Sequence, residues 1–351
     1  MKKKSYIIIC LILPIILSGC TQLYDKNKVN RKKNRIALIL GFGGVNDHSF
    51  NQSAWEGLQK WGNAKHLTKN NDFAYIETNT PEENSTNIDD AIQSGFTTII
   101  SLSYLQTEEL KIAANTHPKI NFALIDGDIS GIKNLCSISF KDQESAYLAG
   151  LAAAYTTRSN KVGFIGGMEG PIIQRFQNGF EAGVKAGADN QNKKIDIMIK
   201  YAASYDSPDL GKALAASMFS NNADILYQAA GSTGSGVFQE AKARNESDYG
   251  KKVWVIGVDR DQENEGYYRL KNGHTGYLTL TSTKKNVGAA VENLSEQTYV
   301  NKFPGGKHLS LGLKENGVGL TRGHLSTDAY KIISEAKQKI IEGKLLIPLN
   351  N

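Results

Sequence analysis

The chain's 351 residues exceed the length that a single hydrophobic core usually organises and suit two lobes. Three cysteines exclude a disulfide framework, because Cys10 falls in an N-terminal leader, Cys20 at its end, and only Cys136 in the part that folds. Much of the formal charge of +6 is gathered in residues 2–35, and no comparable basic cluster with interleaved aromatics follows, which argues against a nucleic-acid partner.

Taken from the start, MKKKSYIIICLILPIILSGC reads as a charged n-region, an apolar h-region and a small-residue cleavage site. The apolar run is too short and too sharply ended for a transmembrane helix. Residues 1–19 are therefore predicted to be a signal peptide, and losing their three lysines lowers the formal charge from +6 to +3. The ending LSGC resembles the bacterial lipobox, which implies a lipid on Cys20 and a location at the extracytoplasmic face of the cell membrane. Residues 20–34 then form a lipidated cysteine and a basic, solvated tether with some attraction to anionic headgroups.

From Arg35 onward, short apolar runs alternate with longer amphipathic segments. RIALIL, FAYIET, TTIISL, NFALIDG, CSISF, KVGFIGG, IDIMIKY, ADILYQAA, KVWVIGV and TGYLTL are predicted strands, mostly apolar on both faces. SFNQSAWEGLQKW, TEELKIAANT, QESAYLAGLAAAYTT, IIQRFQNGFEAGVKAG, PDLGKALAASMF, GVFQEAKARN and TKKNVGAAVENLSEQTY are among the predicted helices. Cys136, in NLCSISF, reads as a small buried hydrophobe. The alternation predicts an α/β protein of two doubly wound, parallel-sheet lobes. No Pro- or Gly-rich linker divides them, so several short crossings are expected.

Ligands of open parallel sheets sit beyond the carboxyl ends of the strands, so those ends are where function is to be sought. The first strand opens into GFGGVNDHSFNQ, with Asp47, Ser49, Phe50, Asn51 and Gln52. Later ends carry Asp126 and Asp128; Ser204, Tyr205 and Asp206; GSTGSG from Gly231; Asp259, Arg260 and Asp261; and Thr281, Ser282, Lys284 and Lys285. A carboxylate accepts two hydrogen bonds at once, matching vicinal hydroxyls or the N–H edge of a base. Phe50 and Tyr205 offer flat faces, Lys285 a donor that also balances Asp259, and the glycines a close backbone approach. Singly, each has a structural reading: Asp47 or Ser49 as a helix cap, Phe50 as a staple, Asp259 with Arg260 as surface charge. Their recurrence at one end of many strands favours a site for a neutral polar ring molecule.

Enzyme motifs are weak. GSTGSG lacks the Gly-Lys-Ser/Thr ending of a phosphate-binding loop, GFGGVN departs from GxGxxG, and Glu77 lies too far on for a ribose-binding acid. The six histidines, His48, His66, His117, His274, His308 and His324, have no metal-ligand spacing, and no GxSxG is present. Neither a metal nor a cofactor is expected.

DHSFNQSAWEGL, FALIDG, SAYLAGLAAAYTTRSNKVGFIGGM, FQNGFEAGVKAG, SYDSPDLGKA, YQAAGSTGSGVF, VIGVDRDQ and TSTKKNVGAAV, in this order, resemble the basic membrane protein family of bacterial lipoproteins, which includes the PnrA-like purine nucleoside receptors. The resemblance implies the type I periplasmic-binding-protein fold, here divided as 35–140 plus 283–304 for lobe 1 and 141–282 plus 305–351 for lobe 2, with a ligand cleft between. It implies a monomeric receptor that captures purine nucleosides and delivers them to the permease subunits of an ABC transporter. On the family's pattern, Phe50 and Tyr205 sandwich the base, Asn51 and Asp126 hydrogen-bond it, and Gly231, Asp259 and Lys285 hold the ribose; Asp47 belongs to the same loop as Phe50. The family more often has phenylalanine where this chain has Tyr205, and usually an acidic pair where it has Tyr104-Leu105. Two other functions remain open: a surface adhesin or signalling lipoprotein on the same fold, and a nucleoside hydrolase, against which the spaced single carboxylates speak.

Overall fold

Branched apolar runs form the strands and amphipathic segments the helices across residues 34–247, 252–270 and 273–349, the part described by the computed structural model. Cys20, the predicted signal peptide and the tether up to residue 33 lie outside these residues. The first half runs β1 (Ile36–Ile39), α1 (Phe50–Ala64), β2 (Phe73–Ile76), α2 (Glu83–Gln93), β3 (Thr98–Ser101), α3 (Thr107–Thr116), β4 (Asn121–Ile125) and β5 (Leu135–Phe140). It continues through α4 (Asp142–Thr156), β6 (Lys161–Gly166), α5 (Pro171–Asn190), β7 (Asp196–Tyr201), α6 (Pro208–Ser220), β8 (Ile225–Ala229), α7 (Thr233–Glu246) and β9 (Trp254–Gly257). The last part holds β10 (Tyr267–Arg269), β11 (Thr275–Tyr277), β12 (Thr279–Lys285), α8 (Val287–Tyr299), β13 (His308–Leu311), β14 (Val318–Leu320) and α9 (Thr327–Ile341).

Two six-stranded sheets result. The first has the order β13-β5-β4-β3-β1-β2 and is parallel throughout. The second, β14-β12-β9-β8-β6-β7, is parallel except for β14, which runs antiparallel to β12. Every residue of β1 is buried because both faces are covered: Ile36 and Leu38 join the core that includes Trp55 and Leu58 of α1 and Val291 of α8, while Ala37 and Ile39 join that of Ile88 and Leu110 from α2 and α3. In the second sheet, Ile165 and Leu226 pack on Met218 and Phe219 of α6 and Val237 of α7. Cys136 is buried in the first sheet, and burial pushes its thiol up to about 11, as suits an inert core residue.

The chain passes between the sheets three times: from β5 into α4, from β12 into α8, and from β13 to β14. Three sequence expectations are modified here. TGYLTL divides between β11, which forms a hairpin with β10, and β12, whose register with β9 shifts between Thr279 and Thr281. Thr281 to Lys285, expected beyond the strand or in the following helix, extend β12 because β9 and β14 supply hydrogen-bonding partners on its two sides. Segment 305–351, expected as a whole in lobe 2, splits: β13 pairs with β5 in the first sheet, and β14 with β12 in the second.

Helices cross closely where glycine removes the side chain. α1 and α8 meet at Gly57 and Gly288, and a Cβ on Gly57 would lie 2.2 Å from the Gly288 carbonyl oxygen. That neighbour is backbone and cannot turn aside. Gly57→Ala is therefore expected to lower stability by about 1–3 kcal/mol, read as a lower urea midpoint.

Candidate ligand-binding site

The stretch between β1 and α1 is built around two side chains. Asp47 is buried, and its carboxylate accepts hydrogen bonds from the backbone N–H groups of Ser49 (2.8 Å), Asn51 (2.9 Å) and Gln52 (3.1 Å), satisfying free donors at the start of α1. Burial outweighs these bonds and pushes Asp47 up to about 6. Asn51 accepts from the Gly41 N–H at 3.0 Å and donates to the carbonyls of Gly41, Phe42 and Gly44 at 3.0, 3.3 and 3.1 Å. Its amide is thus committed to shaping the loop. With these two residues capping the helix and shaping the loop, Phe50, the first residue of α1, lines the cleft together with Phe42 of the same loop.

A cavity of about 650 Å³, counted to its open mouth, lies between the sheets. Asp47, Phe50, Asn51, Asp126, Tyr205, Gly231, Asp259 and Lys285 all line it. Strand-end geometry explains how residues so far apart meet. Asp126 follows β4 with φ +64°, Gly231 lies just beyond β8 with φ +56°, and Asp259 just beyond β9 with φ +65°. Each chain turns through the left-handed region at the strand end, which glycine adopts freely and aspartate tolerates. A Cβ on Gly231 would also meet the Tyr205 carbonyl oxygen at 3.3 Å.

At the floor, Lys285 is 3% exposed and lies between carboxylates. Its Nζ is 2.5 Å from Asp126 Oδ2 and 3.3 Å from Asp142 Oδ1, while the rings of Phe50, Phe140 and Phe176 have centroids 5.1, 5.2 and 5.5 Å away. The lysine expected to balance Asp259 is thus paired directly with Asp126 and Asp142. Asp259 instead accepts a hydrogen bond from Ser49 Oγ across the cleft. Burial raises the Asp259 carboxyl, with the Lys285 charge and the Ser49 bond opposing. Burial alone would lower Lys285, yet Asp126, Asp142 and Asp259 together hold its ammonium above the usual lysine range. Asp126 Oδ1 is buried without a hydrogen-bond partner, an acceptor available to a ligand.

The lobes touch above the cavity. Gln262 Nε2 donates to the His48 carbonyl at 2.9 Å, His48 Nδ1 lies 3.0 Å from Glu265, and Arg260 lies 3.2 Å from Glu56. Tyr104, after β3, and Tyr205, after β7, both line the cavity, and burial raises both phenols above their usual range. Further lining residues, among them Leu102, Ile172, Ile173, Phe176 and Val258, were absent from the sequence-derived set. Phe176 lies within the apolar periodicity of α5 and is indistinguishable there from ordinary core. Asp142, at the start of α4, likewise reads as a first-turn acid favourable to the helix dipole.

A Ser–His–Asp arrangement lies elsewhere: Ser139 Oγ is 2.8 Å from His308 Nε2, and His308 Nδ1 is 2.8 Å from Asp128. Ser139 is 5% exposed on β5 and does not line the cavity, so the group fastens β13 to its neighbour instead of presenting a nucleophile to an acyl substrate. Among the described residues, no group of three or more His, Cys, Asp or Glu is placed to hold a metal ion, and no helix is long and apolar enough to cross a membrane.

Two α/β lobes joined by three crossings, with a polar and aromatic cavity between them, define a solute-binding protein of the periplasmic-binding-protein fold. The chain matches the family described as ABC transporter substrate-binding protein PnrA-like (Bmp) over residues 33–351, and belongs to it. It is accordingly a binding protein of the ABC-transporter class and not an enzyme. It is 40% identical to the ABC transporter nucleoside-binding protein BmpA of Lactococcus lactis subsp. cremoris, covering 99% of each chain. It is 39% identical, again over 99% of each, to the CD4+ T-cell-stimulating antigen of Listeria monocytogenes. A crystal structure of an ABC transporter solute-binding protein from Aeropyrum pernix superposes with a TM-score of 0.77 at 25% identity, covering 90% of this chain and 93% of that one.

Replacing Lys285 by methionine leaves buried carboxylates uncompensated. A loss of about 3–5 kcal/mol is expected at neutral pH. Without the ammonium, which opposes the effect of burial, the carboxyls of Asp142 and Asp259 move further upward in the folded state. The stability contributed by their protonated forms is complete below the unfolded aspartate value and is lost as pH rises. Urea unfolding should therefore show a smaller deficit for Lys285→Met at about pH 5 than at about pH 8.

Proposed function

We propose that this protein captures nucleosides, purine nucleosides in the first place, and delivers them to an ABC transporter permease from a lipid anchor on Cys20. The observation that carries this reading is the composition of one cavity: the rings of Phe50 and Tyr205 come from opposite lobes, and the carboxylates of Asp126 and Asp259 stand at its strand ends beside the Lys285 ammonium. Flat apolar faces suit a base, and paired acceptors with one donor suit N–H groups and ribose hydroxyls. The name of the L. lactis relative, a nucleoside-binding protein, supports the same reading. The family resemblance of the lining residues points to purines.

In this mechanism, ligand bridges the two half-sites and favours the closed arrangement, which the permease then recognises. Asp259 receives the two ribose hydroxyls, with Gly231 allowing close backbone approach; Asp126 Oδ1 takes an N–H of the base. Asp47 and Asn51 act indirectly, by holding the loop that presents Phe50. The LSGC sequence supports anchoring at the extracytoplasmic face, with the basic segment 20–34 as a tether beside anionic headgroups.

Calorimetry with a panel of nucleosides, followed by chromatography of the ligand, is expected to show binding and unchanged nucleoside. Failure of every nucleoside to bind folded protein, or release of free base, would refute the reading. Asp259→Ala should weaken ribonucleosides at least about tenfold while affecting free bases little, since charge-assisted hydrogen bonds contribute roughly 1.5–3 kcal/mol each. Equal losses for adenosine and adenine would remove Asp259 from the ribose site. Cys20→Ser should release the protein from membranes or leave its precursor uncleaved; normal processing with full membrane retention would count against the anchor.

A further inference from the structure

Asp142 is the first residue of α4, immediately after the crossing from β5, and is fully buried. It does not line the cavity. Its carboxyl oxygens nevertheless stand 3.3 and 3.4 Å from Lys285 Nζ, the ammonium that does line it. Lys285 ends β12 at another crossing, so the contact joins two of the three segments that connect the lobes. An ammonium has three N–H donors. One is held by Asp126 at 2.5 Å, the long approach to Asp142 engages another weakly, and Lys285 still borders the open space.

The charges around Asp142 are Lys285 from β12, Asp126 beyond β4, Asp259 beyond β9 and Arg175 from α5, with the Tyr227 phenol of β8 also within electrostatic reach. Arg175 donates to the Phe140 carbonyl at 3.2 Å, leaving Lys285 as the sole cation in direct contact with Asp142 among the described residues. One ammonium cannot compensate three ionised carboxylates in a buried site. The acid with the least exposure and the weakest hydrogen bonding is the one that keeps a proton. Consistent with this, burial pushes Asp142 up to about 7 against the attraction of Lys285.

We propose that Asp142 is a positioning residue for the ligand: by gaining or losing its proton it decides how far the Lys285 ammonium is offered to the cavity, and so makes capture depend on pH. When Asp142 is neutral, the ammonium is held mainly by Asp126 and keeps a donor for a ligand hydroxyl. When it ionises, two anions compete for the ammonium, the contact with Asp142 tightens, and the cavity loses that donor. Affinity for a hydroxyl-bearing ligand then falls as pH rises through about 7. The hydroxyl-bearing ligand rests on the nucleoside reading above.

The test uses the full chain and its Asp142→Asn variant, in which the side chain is permanently neutral. Adenosine, guanosine, uridine and the corresponding free bases are titrated by calorimetry from about pH 6 to about pH 8, where none of these ligands changes charge. For wild type, nucleoside affinity should drop by roughly tenfold over that range, and the drop should disappear in Asp142→Asn while free bases stay level. A wild-type profile without slope, or the same slope in both proteins, overturns the proposal. A second measurement needs no ligand and no variant: in wild type labelled at aspartate Cγ and lysine Cε, the Asp142 carboxyl and the Lys285 resonance should titrate together near neutrality. Independent titration overturns the proposal. If no nucleoside binds wild type at any pH, the functional reading fails, and the resonances still decide whether Asp142 controls Lys285.

Discussion

A lysine ammonium buried where the lobes join is the constraint on which this structure turns. Lys285 is almost inaccessible to water, and an isolated charge there would be strongly unfavourable. It is tolerated because Asp126 comes from the end of β4, Asp142 from the start of α4, and three phenylalanine rings complete the surround. Each partner belongs to a different segment of the chain, so the ion cluster specifies how the first sheet, the second sheet and their crossings fit together.

The same cluster ties architecture to ligand chemistry. Asp126 and Lys285 satisfy one another only in part: Asp126 Oδ1 is left without a partner, and both residues border the cavity. Polar groups that are imperfectly satisfied in the absence of ligand are suited to gaining hydrogen bonds when one arrives. Around them, the contacts of Ser49 with Asp259, Gln262 with His48 and Arg260 with Glu56 link the lobes over the cavity. Polar contacts of this kind suit lobes whose relative position responds to what lies between them.

Much of the fold is legible from periodicity, because strands covered on both faces must be apolar throughout. β1 to β9 all coincide with predicted runs, and central strands such as β1, β3 and β9, with IALI, TIIS and WVIG, do so for this reason. The hairpin β10–β11 and the short strands β13 and β14 are not: His308–Leu311 and Val318–Leu320 are brief and only partly buried, and they become strands by pairing with β5 and β12. Among candidate site residues, those at strand ends could be found by the rule that ligands gather there. Phe176 and Asp142 could not, since a ring on a helix face and an acid in a first helical turn have ample structural reasons to be present.

Local order, the alternation of elements and the chemical types at the strand ends were therefore determined by the sequence itself, through hydrophobic period and the turn preferences of glycine and aspartate. Tertiary structure decided how those types are used. It turned the amide of Asn51 onto its own loop, where four hydrogen bonds hold Gly41 to Gly44, and assigned Asp47 to the start of α1. It also gave Lys285 to Asp126 and Asp142 instead of Asp259, a choice between carboxylates separated by more than a hundred residues that depends on distance and burial. No pattern along a chain encodes such a choice, because the energy of a buried charge is set by what surrounds it in space.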